Sequence, residues 1–104
     1  MAISIPIDDA YDNTQDKIKK VFDGMRDVVL EKNRRYGDSA LSPLGCFSKL
    51  TADESIRIRL DDKLKRIANS ATGDLRKNDV ADIIGYLSLL CVSRGWADFN
   101  DLLD

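Results

Sequence analysis

Residues 75–93 read LRKNDVADIIGYLSLLCVS, and their apolar side chains would cover most of the circumference of a helix. Asp74 is suited to cap the start of that helix, and Gly95, which follows Arg94, is suited to end it. Because little polar surface remains, the pattern predicts a helix buried on most sides, either at the centre of the fold or against another subunit. Gly85 would permit close approach of a neighbouring helix.

Two amphipathic helices are predicted before this segment. From about Asp9 to Arg35, apolar residues recur at three- and four-residue steps, which predicts one long helix that Gly24 weakens by about 1 kcal/mol relative to alanine. The second helix begins at Thr51, which has the capping-box spacing to Glu54. Its predicted buried stripe consists of Ile56, Leu60, Leu64 and Ile67, and its predicted stop is Gly73.

The remaining segments are short. Residues 1–8 could form an extended arm, the apolar loop at 41–50 is expected to pack on other parts of the fold, and the tail after Trp96 is expected to form a short helix. The chain of 104 residues therefore predicts one all-α domain, 1–104, with three principal helices in an up-down bundle and a short accessory helix. Because a helical domain of this size encloses little volume, we expect an oligomer with a pocket between subunits.

Composition excludes several classes of function. A net charge of −2 gives no drive toward duplex nucleic acid or an anionic membrane surface, and the absence of histidine excludes histidine-based catalysis and zinc ligation. Cys46 and Cys91 have no partner at metal-ligand spacing and are expected to be reduced thiols. No leader peptide and no apolar run of about 20 residues is present, so a cytoplasmic location without membrane insertion is expected.

A row of cations lies along the second predicted helix. Arg59, Lys63 and Arg66 share one flank of the apolar stripe, with Asp62 beside them. Their spacing suits successive phosphate oxygens. The alternative is a solvated face stabilised by pairs such as Asp62 with Arg66.

Carboxylates interrupt the apolar third helix. Asp79, Asp82 and Tyr86 share one face there, and burial of the carboxylates is costly unless they are paired, so the cations of the second helix are their expected partners. Alternatively, the two carboxylates hold Mg²⁺, or they lie favourably near a helix N-terminus.

The segment from Lys32 to Ser39 combines cations, an aromatic ring and a glycine turn, and a nucleotide could bind to all three. The alternative is an ordinary helix end, with cations in the last turn and a glycine stop. Trp96 is a weaker candidate for base stacking, because a lone tryptophan among apolar neighbours more often belongs to the core.

Three motifs in order resemble the phage-rich nucleotide modification associated domain, type 1, a family similar to the MazG-like all-α nucleoside triphosphate pyrophosphatases. The motifs are Lys32-Asn33-x-x-Tyr36-Gly37, Arg59-Leu60-x-Asp62-Lys63-x-x-Arg66 and Asp82-x-x-Gly85-Tyr86. The resemblance covers roughly residues 32 to 90. It implies an all-α oligomer that handles nucleotides, with acidic positions as Mg²⁺ ligands and basic positions as phosphate contacts.

The chain departs from that family at acidic positions. Arg35 stands where the family usually has an acidic residue before Tyr-Gly. Asn78 stands where the family usually has a second acidic residue, four residues before the position of Asp82. Asp27 with Glu31 is a loose substitute for the Glu-x-x-Glu pair of MazG-type enzymes. Since metal-dependent hydrolysis needs a carboxylate cage, these changes favour binding over catalysis.

The resulting hypothesis is a phage-type protein that captures a nucleotide or cyclic nucleotide, so sequestering a host antiviral defence signal. The alternatives are a Mg²⁺-dependent pyrophosphohydrolase and a structural protein-interaction module. No catalytic residue and no cofactor is assigned under the leading hypothesis. The predicted ligand-binding residues are Lys32, Asn33, Arg35, Tyr36, Arg59, Lys63, Arg66 and Tyr86; Asp62, Asp79 and Asp82 are Mg²⁺ ligands only in the enzyme alternative.

Overall fold

The computed structural model describes residues 13–104 and is all-helical there, with no strand in this part of the chain. Helix α1 spans Thr14–Tyr36, α2 spans Ala52–Ala68 and α3 spans Lys77–Ser93, and a short 3₁₀ helix, Asn100–Leu103, follows. The predicted fold class is confirmed, and the short helix in the tail lies where it was expected. The predicted arm at 1–8 lies outside the described residues.

Helix α3 is the central element, because it packs against both other helices, whereas α1 and α2 do not contact each other within residues 13–104. Contacts run in opposite order along each pair. Lys32 of α1 pairs with Asp82, and Val29, three residues earlier, lies beside Gly85, three residues later on α3. Lys63 of α2 also pairs with Asp82, and Arg94, just past the end of α3, pairs with Asp53 in the first turn of α2. Helices α1 and α2 therefore both run antiparallel to α3 and parallel to each other, so the predicted up-down order of the bundle is wrong, and a groove with α3 as its floor separates α1 from α2.

Helix α1 begins at Thr14 because the side chain of Asn13 accepts a hydrogen bond from the Asp16 amide at 3.0 Å. The predicted start near Asp9 falls outside the described residues, and Asn13 itself is in extended conformation. The helix ends at Tyr36, where Gly37 has a φ of +64°, a value that favours glycine.

Helix α2 has the predicted capping box, with the Glu54 amide donating to Thr51 Oγ1 at 3.2 Å. The predicted stop at Gly73 is wrong, because the helix ends at Ala68 with Asn69 as its cap. Gly73 instead lies in the turn that follows, where its amide donates to the Ser70 carbonyl at 3.2 Å.

Helix α3 ends as predicted, with Gly95 at a φ of +73° after Arg94. Its start was predicted wrongly, because the cap is Arg76 and not Asp74. The arginine side chain has no acceptor, so it cannot bind the free amides of the first turn. The contact runs the other way, because Asp79 in the first turn of α3 accepts a hydrogen bond from the Arg76 backbone amide through Oδ2 at 3.1 Å.

Burial within one chain is limited. Among the described apolar side chains, only Ile56 and Ala81 are buried. Leu64 of the predicted stripe is exposed, and so are Leu87 and Val92 of α3. The expected burial of α3 on most sides is therefore not reached in a single chain, where most of its side chains are only half-buried.

The loop between α1 and α2 does not pack as expected, because Leu44 and Phe47 are almost fully exposed. No helix in the described part of the chain is both long enough and apolar enough to cross a membrane.

Candidate functional site

Asp79 is completely buried at the start of α3, and three cations meet its carboxylate. Arg66 of α2 forms an ion pair with Oδ2, Lys63 Nζ lies 3.7 Å from Oδ1, and Arg76 Nη2 donates to Oδ1 at 3.3 Å. Burial raises the pKa of Asp79, but the hydrogen bonds from Arg76 and Arg66 outweigh that effect and hold the pKa well below its usual range. Asp79 is therefore an ionised group that fastens α2 to α3.

Asp82 lies one turn further along α3 and joins all three helices. Lys32 Nζ of α1 donates to Oδ1 at 2.5 Å, and Lys63 Nζ of α2 lies 2.9 Å from Oδ2. Asn78 bridges Lys32 and Asp82, accepting from the former at 3.2 Å and donating to the latter at 3.3 Å. Burial raises the pKa of Asp82, and the two lysines lower it further than burial raises it. The prediction that the cations of α2 pair with these carboxylates is confirmed.

The alternative pairing along α2 is not formed. Arg66 turns toward α3 and pairs with Asp79, so it does not pair with Asp62 on its own helix. An exposed ion pair within one helix is worth only a few tenths of a kcal/mol, whereas Asp79 would be left buried and uncompensated without its cations.

The groove between α1 and α2 contains a cleft of about 500 Å³. Its walls bring together five of the predicted ligand-binding residues with apolar and small side chains of α1 and α3. The lining residues from the prediction are Lys32, Asn33, Tyr36, Arg59 and Tyr86, and others are Val29, Ser39, Asn78 and Leu89. The pocket was expected between subunits, but a single chain forms this cleft.

A second cleft of about 300 Å³ adjoins the first along α2 and is lined by Arg59, Asp62, Lys63, Arg66 and Tyr86. Arg59 and Tyr86 line both clefts, so the two spaces meet at these side chains. Arg59 is exposed, and within residues 13–104 its guanidinium has neither an ion pair nor a hydrogen bond. It is thus the cation of the row on α2 that is available to a ligand without breaking an existing contact.

Arg35 is the predicted ligand-binding residue that lines neither cleft. Its Nε lies 3.2 Å from Glu31 Oε1, one turn earlier on the exposed side of α1. Asn33 lines the larger cleft, but its amide is occupied, because Nδ2 donates to the Gly37 carbonyl at 3.1 Å. Asn33 thereby fixes the end of α1 at the rim of the cleft.

The residues of the Mg²⁺ alternative do not fit a metal as they are arranged. The carboxylate oxygens of Asp79 and Asp82 already accept hydrogen bonds from arginine and lysine, and positive charges surround both groups. In the described part of the chain, no three acidic, histidine or cysteine residues come together in a way that could hold a metal ion. Asp62 lines the smaller cleft, separate from this network of ion pairs.

Sequence reasoning missed Arg76 as part of this network. The available signal was its spacing, since Asp79 lies three residues after it, as in a capping box. The apolar wall formed by Val29 and Leu89 was not predicted as part of the site, because both residues belong to the core-facing stripes of their helices.

Comparison of the chain with protein-family models, curated proteins and solved structures found no match.

Proposed function

We propose that this chain binds a nucleotide-type anion in the larger cleft between α1 and α2 and in the smaller cleft that adjoins it between α2 and α3, without hydrolysing it. The observation that supports this function is Arg59, an exposed guanidinium at the junction of the two clefts that has no partner in the described part of the chain. A guanidinium presents a planar set of donors that matches two phosphate oxygens. An unpaired arginine inside a cleft is therefore suited to hold a phosphate group.

The charges around Arg59 support an anionic ligand. Four other cations, Lys32, Lys63, Arg66 and Arg76, form the neighbouring network with Asp79 and Asp82, and Asp62 adds one negative charge in the smaller cleft, so positive charge is in excess there. Lys63 and Arg66 line the smaller cleft, where their charge attracts an anion while the carboxylates keep their positions fixed. The phosphate group of the ligand would thus lie in the smaller cleft, next to Arg59.

The larger cleft supplies a surface for the remainder of a nucleotide. Tyr36 and Tyr86 line it together with Val29 and Leu89, so aromatic rings and apolar side chains are available to a base. Its volume of about 500 Å³ lies within the range of ordinary small-molecule sites. An aromatic base in the larger cleft and a phosphate near Arg59 would use both spaces.

Capture is favoured over hydrolysis because the two carboxylates on α3 neutralise cations and do not form a metal site. Together with the family resemblance of the motifs, this supports a phage-type binder that sequesters a nucleotide signal of host antiviral defence. The protein would act by lowering the free concentration of that signal, and it would do so in the cytoplasm.

The test is calorimetric titration of the purified chain with linear and cyclic nucleotides and with inorganic phosphate. We expect Arg59→Ala to weaken nucleotide binding at least tenfold, in the range of a lost charge-assisted hydrogen bond, without lowering Tm. Lys65→Ala is the matched control, since it removes one positive charge from the same helix but lines neither cleft. Absence of binding across the panel at high micromolar ligand would overturn the proposal.

The same samples separate the alternatives. Release of pyrophosphate in the presence of Mg²⁺, lost in Asp82→Asn, would indicate the hydrolase, and a cellular function that Arg59→Ala leaves intact would indicate an interaction module. Arg66 is unsuitable for this comparison, because its replacement removes a partner of the buried Asp79 and disturbs the fold.

A further inference from the structure

Asp62 is a carboxylate in the wall of the smaller cleft, and it has neither an ion pair nor a hydrogen bond within residues 13–104. Arg59 lies three residues before it and Arg66 four residues after it, spacings at which ion pairs form along a helix. Arg66 pairs with Asp79 of α3 instead, and Arg59 is unpaired in this part of the chain. Both oxygens of Asp62 are therefore free to accept hydrogen bonds from a ligand.

Asp61, the preceding residue on α2, provides a comparison within the molecule. Both aspartates are exposed and neither has a partner among the described residues, but Asp61 lines neither cleft. Asp62 shares the space of about 300 Å³ with three cations, Arg59, Lys63 and Arg66. A ligand that these cations bind would therefore meet Asp62 and not Asp61.

A carboxylate at this position opposes the binding of an anion that has no hydrogen-bond donors, because like charges repel each other. The same carboxylate favours a ligand that carries donors close to its phosphate group, since a hydrogen bond to a charged group is stronger than one between neutral groups. An unpaired guanidinium beside an unpaired carboxylate thus matches a molecule that presents an anion and hydroxyl or amino groups side by side.

The sugar of a nucleotide presents such donors at the junction of the clefts. With the base in the larger cleft and the phosphate in the smaller one, the sugar lies beside Arg59 and Tyr86, which line both spaces. Asp62 follows Arg59 by one helical turn, about 5–6 Å between Cβ atoms, so its carboxylate borders the same junction. The amino groups of a base would lie in the larger cleft, which Asp62 does not line. Of the donors in a nucleotide, the sugar hydroxyls are therefore the ones within reach of Asp62.

We propose that Asp62 accepts hydrogen bonds from the adjacent 2′- and 3′-hydroxyls of the bound nucleotide and so selects ribonucleotides over 2′-deoxyribonucleotides. The two carboxylate oxygens match two neighbouring hydroxyls, and the 2′-hydroxyl is the group that distinguishes the two classes of sugar. Acidic side chains make this contact with ribose in other nucleotide-binding folds. The inference rests on the proposed nucleotide site, in which Arg59 attracts the phosphate group and Asp62 supplies selectivity for the sugar.

The test is calorimetric titration of the full chain with AMP, GMP, CMP and UMP, with their 2′-deoxy counterparts and with inorganic phosphate. EDTA is present throughout, so that no divalent cation links Asp62 to a phosphate group. The parent chain should bind each ribonucleotide about tenfold more tightly than its deoxy counterpart, which is the effect of one hydrogen bond to a charged group. Asp62→Ala should reduce that ratio to within about twofold and should bind inorganic phosphate more tightly, because the repulsion is removed.

Two further variants separate hydrogen bonding from charge. Asp62→Asn retains one acceptor oxygen and should keep an intermediate ratio. Asp61→Ala is the matched control, since it removes the same charge from the neighbouring position outside both clefts, and it should leave the ratio unchanged. All these substitutions replace exposed side chains without partners in residues 13–104, so circular dichroism should show unchanged helical content.

The outcomes distinguish this inference from the proposed function. Equal affinity of the parent chain for both sugars, a ratio that Asp62→Ala leaves intact, or an equal loss in Asp61→Ala would overturn the role of Asp62 and leave the nucleotide site standing. Absence of binding for all of these nucleotides would also overturn it, and the wider panel of linear and cyclic nucleotides would then decide the proposed function.

Discussion

The α2–α3 interface and the first half of α1 differ in how their sequence patterns are satisfied. At the interface, buried Ile56 and the completely buried Asp79 are both accommodated within one chain, and every charge on Asp79 has a partner. Along α1, the amphipathic pattern is equally clear, yet Ile18, Val21 and Phe22 remain exposed. The comparison teaches that apolar periodicity predicts a helix, whereas the partner of that helix depends on where complementary groups are available.

The largest effect is expected from Asp79→Asn, which disrupts the ion pairs at the α2–α3 interface. The substitution leaves Arg66 and Arg76 without their shared carboxylate at the junction of α2 and α3. We expect Tm to fall by at least about 10 °C, as for loss of one member of a buried ion-pair network. Differential scanning calorimetry measures the change, and an unaltered Tm would contradict the central role of this carboxylate.

Acid should act on the same interface. Folding lowers the pKa of both Asp79 and Asp82. Their contribution to stability is therefore complete when the pH is above the pKa of an ordinary aspartate, about 3.9, and it is lost as the pH falls below that value toward the lowered pKa. Denaturant melts at a series of acidic pH values would show this loss. The Asp79→Asn variant should show a shallower dependence on pH than the parent chain.

A smaller effect is expected from Lys32→Met, which removes the charged contact between α1 and α3. Asp82 retains Lys63, and the lysine side chain is 35% exposed, so the cost should be about 1 kcal/mol in the free energy of unfolding. Urea titration measures it, with Lys19→Met as the control on the exposed side of the same helix. If Lys32→Met lowered the free energy of unfolding as much as Asp79→Asn does, α1 would be bound to α3 as strongly as α2 is.

The smallest effect is expected from Phe22→Ala in the first half of α1, where the apolar side chains are exposed. The side chain is 68% exposed, so the free energy of unfolding of the monomer should change by no more than about 0.5 kcal/mol. Urea titration at low protein concentration is the appropriate measurement. A cost of several kcal/mol would show that this ring is buried in solution.

The sequence predicts the fold well because α1, α2 and α3 follow apolar periodicity and turn chemistry, which are local. Local reasoning failed where a group outside the element decides the outcome. Arg76 caps α3 only because Asp79 reaches back to it, and the turn at Gly73 follows a helix that has already ended at Ala68.

The candidate site was only partly predictable for a similar reason. The spacing of Arg59, Lys63 and Arg66 places them on one face of α2, but spacing does not distinguish a cation that neutralises a carboxylate from one that is free. That distinction depends on the position of Asp79 and Asp82 on another helix. Whether a ligand uses Arg59 stays a prediction that the titrations test.

The exposed loop between α1 and α2 has a consequence for limited proteolysis. Proteases that cleave after large apolar residues would meet Leu44 and Phe47 with their side chains in solvent and their backbone outside any helix. A cut there severs the covalent link between α1 and α2, but α1 still packs along α3, where Lys32 pairs with Asp82 and Val29 lies beside Gly85. The nicked chain should therefore migrate as two fragments after denaturation and as one species before it.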